Sequence, residues 1–149
     1  MRHWEDFHVG DVAELGPVTV SEEEIVDFAS RYDPKPFHVD PAAAKESPFG
    51  GLIASGWHTT ALFMGMFVRA VLLDAASLGS PGVEEVRWLA PVRPGDTLTG
   101  RSTVTDVQPS STNPARGTVF TTNEVLNQDG TVVLRMNARG FFARRASAT

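Results

Sequence analysis

Apolar and polar positions recur along this chain in blocks that mark out its elements. Val12 to Val20 reads as a first strand, with Gly16-Pro17 an irregular point inside it. A helix follows, and its start is well marked. Ser21 and Glu24 match a capping box, in which the serine hydroxyl and the glutamate carboxylate satisfy each other's backbone amides. Val20 and Ile25 stand where a hydrophobic staple closes the entry. Ile25, Phe28, Ala29 and Tyr32 then repeat at helical spacing and are predicted to pack inward. Pro34 and Pro36 end the helix, since proline lacks a backbone donor and pushes its predecessor out of helical geometry. The segment that carries them is predicted to be constrained and extended. Asp40-Pro41 reads as an N-cap followed by an N1 proline, opening a short helix to about Glu46.

From Gly56 to about Ala76 the chain is apolar on nearly every side, with Arg69 the one charge before Asp74. A helix without a polar face is predicted to be buried on most sides. The remainder is strand-like: Gly82 to Val92, Asp96 to Val107, Gly117 to Leu126 and Thr131 to Ala143. Pro94-Gly95-Asp96 turns the chain between the first two. Asn127 to Gly130 makes a hairpin between the last two, Asp129-Gly130 supplying tolerance for positive φ. In the final strand Val132, Leu134, Met136 and Ala138 share one face, and Arg135, Asn137 and Arg139 the other. The stretch from Gln108 to Arg116 is a polar loop. One buried helix with about five strands, in the order β-α-β-β-β-β, predicts an α+β architecture of the hot-dog type. An antiparallel sheet would wrap around a long central helix, in a single domain over residues 1–149. Such a sheet leaves exposed edges, and edge-to-edge pairing into a homodimer or a dimer-based higher oligomer would relieve them.

Composition adds bounds rather than detail. With 149 residues, 42% of them apolar and 21% charged, the chain is an ordinary soluble globular sequence long enough to bury a core. A net charge of −5 without basic runs argues against a nucleic-acid partner. The absence of cysteine removes disulfides and thiolate metal sites. The charged start, Met-Arg-His-Trp-Glu-Asp, is unlike a secretory signal. Arg69 interrupts the best apolar stretch, leaving it short of the roughly 18 residues that span a bilayer. The expectation is a cytoplasmic protein with no membrane partner. His3 and His8 have no organised ligating neighbours, so no metal is expected.

The chemistry concentrates between Asp33 and Thr59. Asp33 and His38 stand five positions apart with prolines bracing the segment between them, and Gly56 opens the apolar helix. A carboxylate and an imidazole together can move protons. A free amide at a helix N-terminus can receive a developing anion. Plainer roles stay open: Asp33 as a helix terminator, His38 as a structural histidine, Gly56 as relief from crowding. Gly50-Gly51 reads as a plain turn, with a hinge as the alternative, and His58 as a substrate contact or a cap.

Asp33-x4-His38, the segment FGGLIASGWHT and the later Pro91-Val92-Arg93-Pro94-Gly95-Asp96 resemble the MaoC-like dehydratase family, of the (R)-specific enoyl-CoA hydratase type. The resemblance runs from about Asp11 to Phe142. It implies a hot-dog dimer that adds water reversibly to a trans-2-enoyl thioester, giving the (R)-3-hydroxyacyl product, without a metal or organic cofactor. By the same resemblance the catalytic residues are Asp33, His38 and the backbone amide of Gly56. Ser55, Trp57, His58 and Gly51 flank them as substrate-binding candidates, and the partner is an acyl-CoA or an acyl carrier protein thioester. The chain departs from the family at Lys35, where many members have asparagine, and at Ser55, where histidine is common. A serine of some members falls on Met64. Trp57, Phe63, Met64 and Phe67 read as core or pocket wall. Arg87, Arg93 and Arg135 are candidates for the coenzyme phosphates. A hot-dog thioesterase and a non-catalytic acyl-thioester binder are the alternatives.

Overall fold

Strand β1 (Val12–Thr19) leads into helix α1 (Glu22–Tyr32) in the computed structural model, which describes residues 1–146. The start of α1 is held as its spacing requires. Ser21 Oγ accepts from the Glu24 amide at 3.1 Å, and the Glu24 carboxylate takes the Ser21 amide in return. Replacing Ser21 by alanine is therefore expected to cost about 1 kcal/mol. A thermal melt should fall by a few degrees; an unchanged melt would mean the box contributes nothing. Ile25 and Ala29 are buried as expected, whereas Tyr32 is 69% exposed. It closes the helix, and its ring lies back over Phe28 with centroids 5.1 Å apart instead of entering the core.

The proline segment is not extended throughout. Pro36 takes the first position of a short helix, α2 (Pro36–Val39), where its missing N–H costs nothing. Asp40 caps α3 (Pro41–Lys45), its Oδ1 accepting from the amides of Ala42 and Ala43. Helix α4 (Gly56–Phe67) runs on through a π-helical turn, Val68–Leu72.

Four strands follow: β2 (Val83–Trp88), β3 (Thr97–Pro109), β4 (Arg116–Leu126) and β5 (Val132–Ala143). With β1 they make one antiparallel sheet in the order β1-β3-β4-β5-β2. Its inner face closes on α4. Phe63 and Met66 of the helix meet Leu98, Val125, Leu134 and Met136 of the sheet, and Ile25 of α1 completes the core. This is the hot-dog fold. β5 departs from strict alternation at one point. Leu126 pairs with Val132 and Val125 with Leu134, so Val133 is an extra residue. The bulge allows both Val133 and Leu134 to be buried.

The expectation that α4 is buried on most sides holds for one side only. His58, Thr59, Phe63 and Met66 are covered, while Trp57 and Met64 are exposed. Among the described residues no helix is long and apolar enough to cross a membrane.

Candidate active site

Asp33 is the C-terminal cap of α1, its amide donating to the Ala29 carbonyl at 2.9 Å. The Lys35 amide then donates to the Asp33 carbonyl, and the His38 amide to the Lys35 carbonyl. This tight path, stiffened by two prolines, brings α2 back alongside the carboxylate. His38 Nε2 lies 3.4 Å from Asp33 Oδ2, with the two side chains only 4% and 13% exposed. On its far side the ring places Nδ1 2.7 Å from the Ile53 carbonyl oxygen. A carbonyl can only accept, so Nδ1 carries a hydrogen and Nε2 of the neutral ring is an acceptor. Nε2 and the carboxylate oxygen are thus two acceptors facing one another. A water molecule that donates one O–H to each would satisfy both and keep its lone pairs free for attack.

Ser55 tightens this arrangement from behind. It is fully buried. Its hydroxyl donates to Asp33 Oδ2 at 2.8 Å and accepts from the Trp57 amide at 3.2 Å, so one side chain both caps α4 and anchors the acid. Lys35 Nζ stands 3.3 Å from the other carboxylate oxygen. Burial pushes the Asp33 carboxyl up, but the Ser55 hydrogen bond, the Lys35 ammonium and, when its ring is protonated, the charge of His38 outweigh it and hold the group below its ordinary value. The sign of the consequence is fixed. The Ser55 and Lys35 donors favour the charged form, so Ser55→Ala should raise the Asp33 pKa and move the acid limb of the kcat/KM profile to higher pH. Lys35→Gln should act in the same direction by less, because the ammonium is 59% exposed and screened by solvent. A pH–rate profile checks both, and an acid limb unmoved by Ser55→Ala would contradict the assignment.

Gly56 is the first residue of α4, where an amide has no intrahelical partner. No acceptor among the described residues takes it. Gly56 and His38 line one cavity of about 250 Å³, together with Ile53, Thr59, Trp88 and Val133. The Trp88 ring lies directly on Gly56: a Cβ at that position would come within 2.4 to 2.8 Å of three ring atoms. Trp88 Nε1 donates to Thr60 Oγ1 at 3.0 Å, which fixes the indole there. A free N–H at a positive helix end, on a residue that lines the same cavity as His38, suits a developing oxyanion.

The structure brings Asp33, His38, Ser55 and Gly56 together. Of the residues expected at the site, His38 and Gly56 line the cavity, whereas Asp33, Ser55, Gly51, Trp57 and His58 do not. Gly51 sits in a bend near the Arg93 guanidinium. Trp57 is 59% exposed, edge-on to Trp88. His58 is buried and stacked on Phe28 at 4.6 Å. Burial holds its imidazole below the ordinary value, against the opposing pull of Glu24. Among the three arginines, Arg87 is paired with Glu85 and Arg135 with Glu124. Arg93 donates to the carbonyl of Phe49, a residue that lines the cavity. Three contributors were not foreseen. Ile53 acts through a backbone carbonyl, which carries no side-chain signature. Thr59 was one of several apolar-helix residues, and Trp88 arrives from the end of a strand far along the chain.

A family model described as "MaoC like domain" matches residues 7–127. The 3-hydroxyacyl-thioester dehydratase Z of Mycobacterium tuberculosis H37Rv is 34% identical over 110 residues, covering 72% of this chain and 73% of that protein. Mesaconyl-CoA hydratase of Cereibacter sphaeroides is 33% identical over 135 residues, covering 89% of this chain and 38% of that longer protein. The crystal structure of a MaoC-like dehydratase from Rhodospirillum rubrum matches with a TM-score of 0.87 at 38% identity, covering 99% of this chain and all of the other.

Proposed function

The chain belongs to the MaoC-like dehydratase family, and from that premise we propose that it adds water reversibly to a trans-2-enoyl thioester to give the (R)-3-hydroxyacyl thioester. Relatives named as a dehydratase and a hydratase support hydro-lyase chemistry at the level of the family. The observation that carries the finer reading is the Asp33–His38 pair. A charged carboxylate and an imidazole acceptor face each other 3.4 Å apart, beside a cavity that also holds a free helix-terminal amide.

In hydration the water held by the pair attacks Cβ, forming the C–O bond and passing a proton to the pair. The alkene electrons move onto the thioester, whose oxygen becomes an enolate received by the Gly56 N–H. Cα then takes a proton from the pair, which regenerates it. Asp33 and His38 act as one coupled unit across these transfers. Dehydration runs the same steps backward.

A panel of trans-2-enoyl-CoA thioesters, followed by loss of the conjugated absorbance, tests the reading. Turnover of at least one member is expected, and release of free thiol without hydration would favour a thioesterase instead. The carboxylate such a thioesterase would need on α4 is not in place: Asp74 lies beyond the helix, beside the N-terminal amine. One observation favours a binder without turnover, since Lys35 engages Asp33 Oδ1. Tight binding of enoyl thioesters with no product would identify that case.

The thioester carrier is coenzyme A or an acyl carrier protein, and Arg93, bonded to the carbonyl of cavity-lining Phe49, is the candidate for its anionic groups. The homodimer belongs to the same proposal. Among the described residues edge strand β2 pairs only with β5, and Val83, Trp88, Leu89, Trp57 and Met64 are apolar and exposed around it. Sedimentation at twice the chain mass is expected, and a stable monomer would overturn this part.

A further inference from the structure

Two threonines near the start of α4 turn their hydroxyls back on the backbone that flanks Gly56. Thr59 Oγ1 lies 3.5 Å from the Ser55 carbonyl, at the limit of a hydrogen bond. That carbonyl already accepts the amides of His58 and Thr59, at 3.0 and 3.1 Å. Thr60 Oγ1 donates to the Gly56 carbonyl at 3.0 Å, a full bond. Back-bonding of this kind is ordinary in helices and by itself marks no site. What sets Thr60 apart is a second partner.

The Trp88 indole, 28 residues further on, brings Nε1 within 3.0 Å of the same hydroxyl. An indole N–H can only donate, and a carbonyl can only accept. The Thr60 hydroxyl therefore accepts from Trp88 and sends its own hydrogen to Gly56. The chain has one direction: Trp88 N–H to Thr60 O–H to Gly56 C=O. It also closes on itself, because the Trp88 ring lies on Gly56 in the place a Cβ would take. Residue 56 is thus gripped twice, by the hydroxyl at its carbonyl and by the ring at its Cα. Its N–H stays free. Glycine is the residue least able to fix its own backbone, so this grip has to come from outside. Gly56 and Trp88 line the cavity of His38; Thr60 does not and acts only through them.

We infer that Thr60 is a positioning residue for the hydration: it locks the Trp88 ring to the Gly56 backbone and so keeps the free amide aimed where the enolate oxygen forms. The inference rests on the hydration reading above. A donor stabilises an oxyanion most when it has no need to reorient as the charge develops. Without the Thr60 hydroxyl, the indole N–H and the Gly56 carbonyl both lose this partner, and the start of α4 loosens at its glycine. An interaction realised only in the transition state shows in kcat and leaves KM alone.

The test is Thr60→Val, which keeps the branched shape and removes the hydroxyl, beside Thr60→Ser, which retains it. With a trans-2-enoyl-CoA that wild type hydrates, Thr60→Val is expected to lose about 10-fold in kcat with KM within about 2-fold. Thr60→Ser should keep most of the wild-type rate. Trp88→Phe leaves a ring over Gly56 without the N–H; it should show a smaller loss in kcat and serves if Thr60→Val fails to fold. Wild-type kinetics in Thr60→Val, a raised KM with kcat unchanged, or equal losses in the valine and serine variants overturns the inference and leaves the proposed reaction standing. The Gly56 amide reports on the grip without turnover. Its ¹⁵N–¹H resonance should be sharp in wild type and Thr60→Ser, and broadened by exchange between orientations in Thr60→Val. That pattern in a protein that hydrates no enoyl thioester would keep the grip and overturn the reaction. A resonance equally sharp in all three proteins overturns the grip itself.

Discussion

Exchanging Asp33 for asparagine is expected to lower kcat for hydration by about 10²- to 10⁴-fold while the fold stays intact. Asparagine has the same shape, and its carbonyl oxygen can still accept from the Ser55 hydroxyl that anchors Asp33 at 2.8 Å. The electrostatics change completely. The neutral amide takes no proton from the water, and with its oxygen kept on Ser55 its NH₂ falls in the place of Oδ1, beside the Lys35 ammonium. Because His38 and Asp33 serve one water, the double variant with His38→Gln should lose little more than either single variant. Turnover measured beside a thermal melt separates this loss from unfolding. Near-wild-type kcat in a folded Asp33→Asn protein would contradict the assignment.

Gly56→Ala should be the second large effect, for a steric reason. Position 56 has no need of an unusual backbone angle, but a methyl there would meet the Trp88 indole at 2.4 to 2.8 Å. The indole is held by its bond to Thr60 and edge-on to Trp57, so either the ring or the start of α4 must move. Overpacking of this kind costs about 1–3 kcal/mol. If the helix start shifts, the amide leaves the position where the enolate oxygen forms, and kcat falls by about 10²- to 10³-fold. Trimming the ring in the double variant Gly56→Ala, Trp88→Leu should recover much of the lost stability. Wild-type kcat and stability in Gly56→Ala would show that the close packing seen at this residue places no demand on it.

The elements were readable where short-range chemistry decides them. The capping box at Ser21, the Asp40 cap and the hairpin at Asn127 to Gly130 each lie within a few residues, and each has the hydrogen bonds its spacing demands. The segment after Asp33 was misjudged because proline acts in two directions: it bars helix before itself yet opens one at N1, as Pro36 does. The bulge at Val133 and the outward turn of Tyr32 depend on register and on neighbours, which period alone cannot express. The site divides in the same way. Asp33 and His38 are joined by a turn and stand out together in the sequence. Ile53 and Trp88 enter through a backbone carbonyl and a distant strand. Local pattern holds no record of those.

The most direct measurement of the central claim is hydration in ¹⁸O-labelled water of an enoyl-CoA that wild type turns over, with chiral analysis of the product. The expected result is label on C3 of an (R)-3-hydroxyacyl thioester from the wild type, and none above background from Asp33→Asn. Label in the carboxylate of a released free acid, an (S) product, or equal labelling by the two proteins would contradict it.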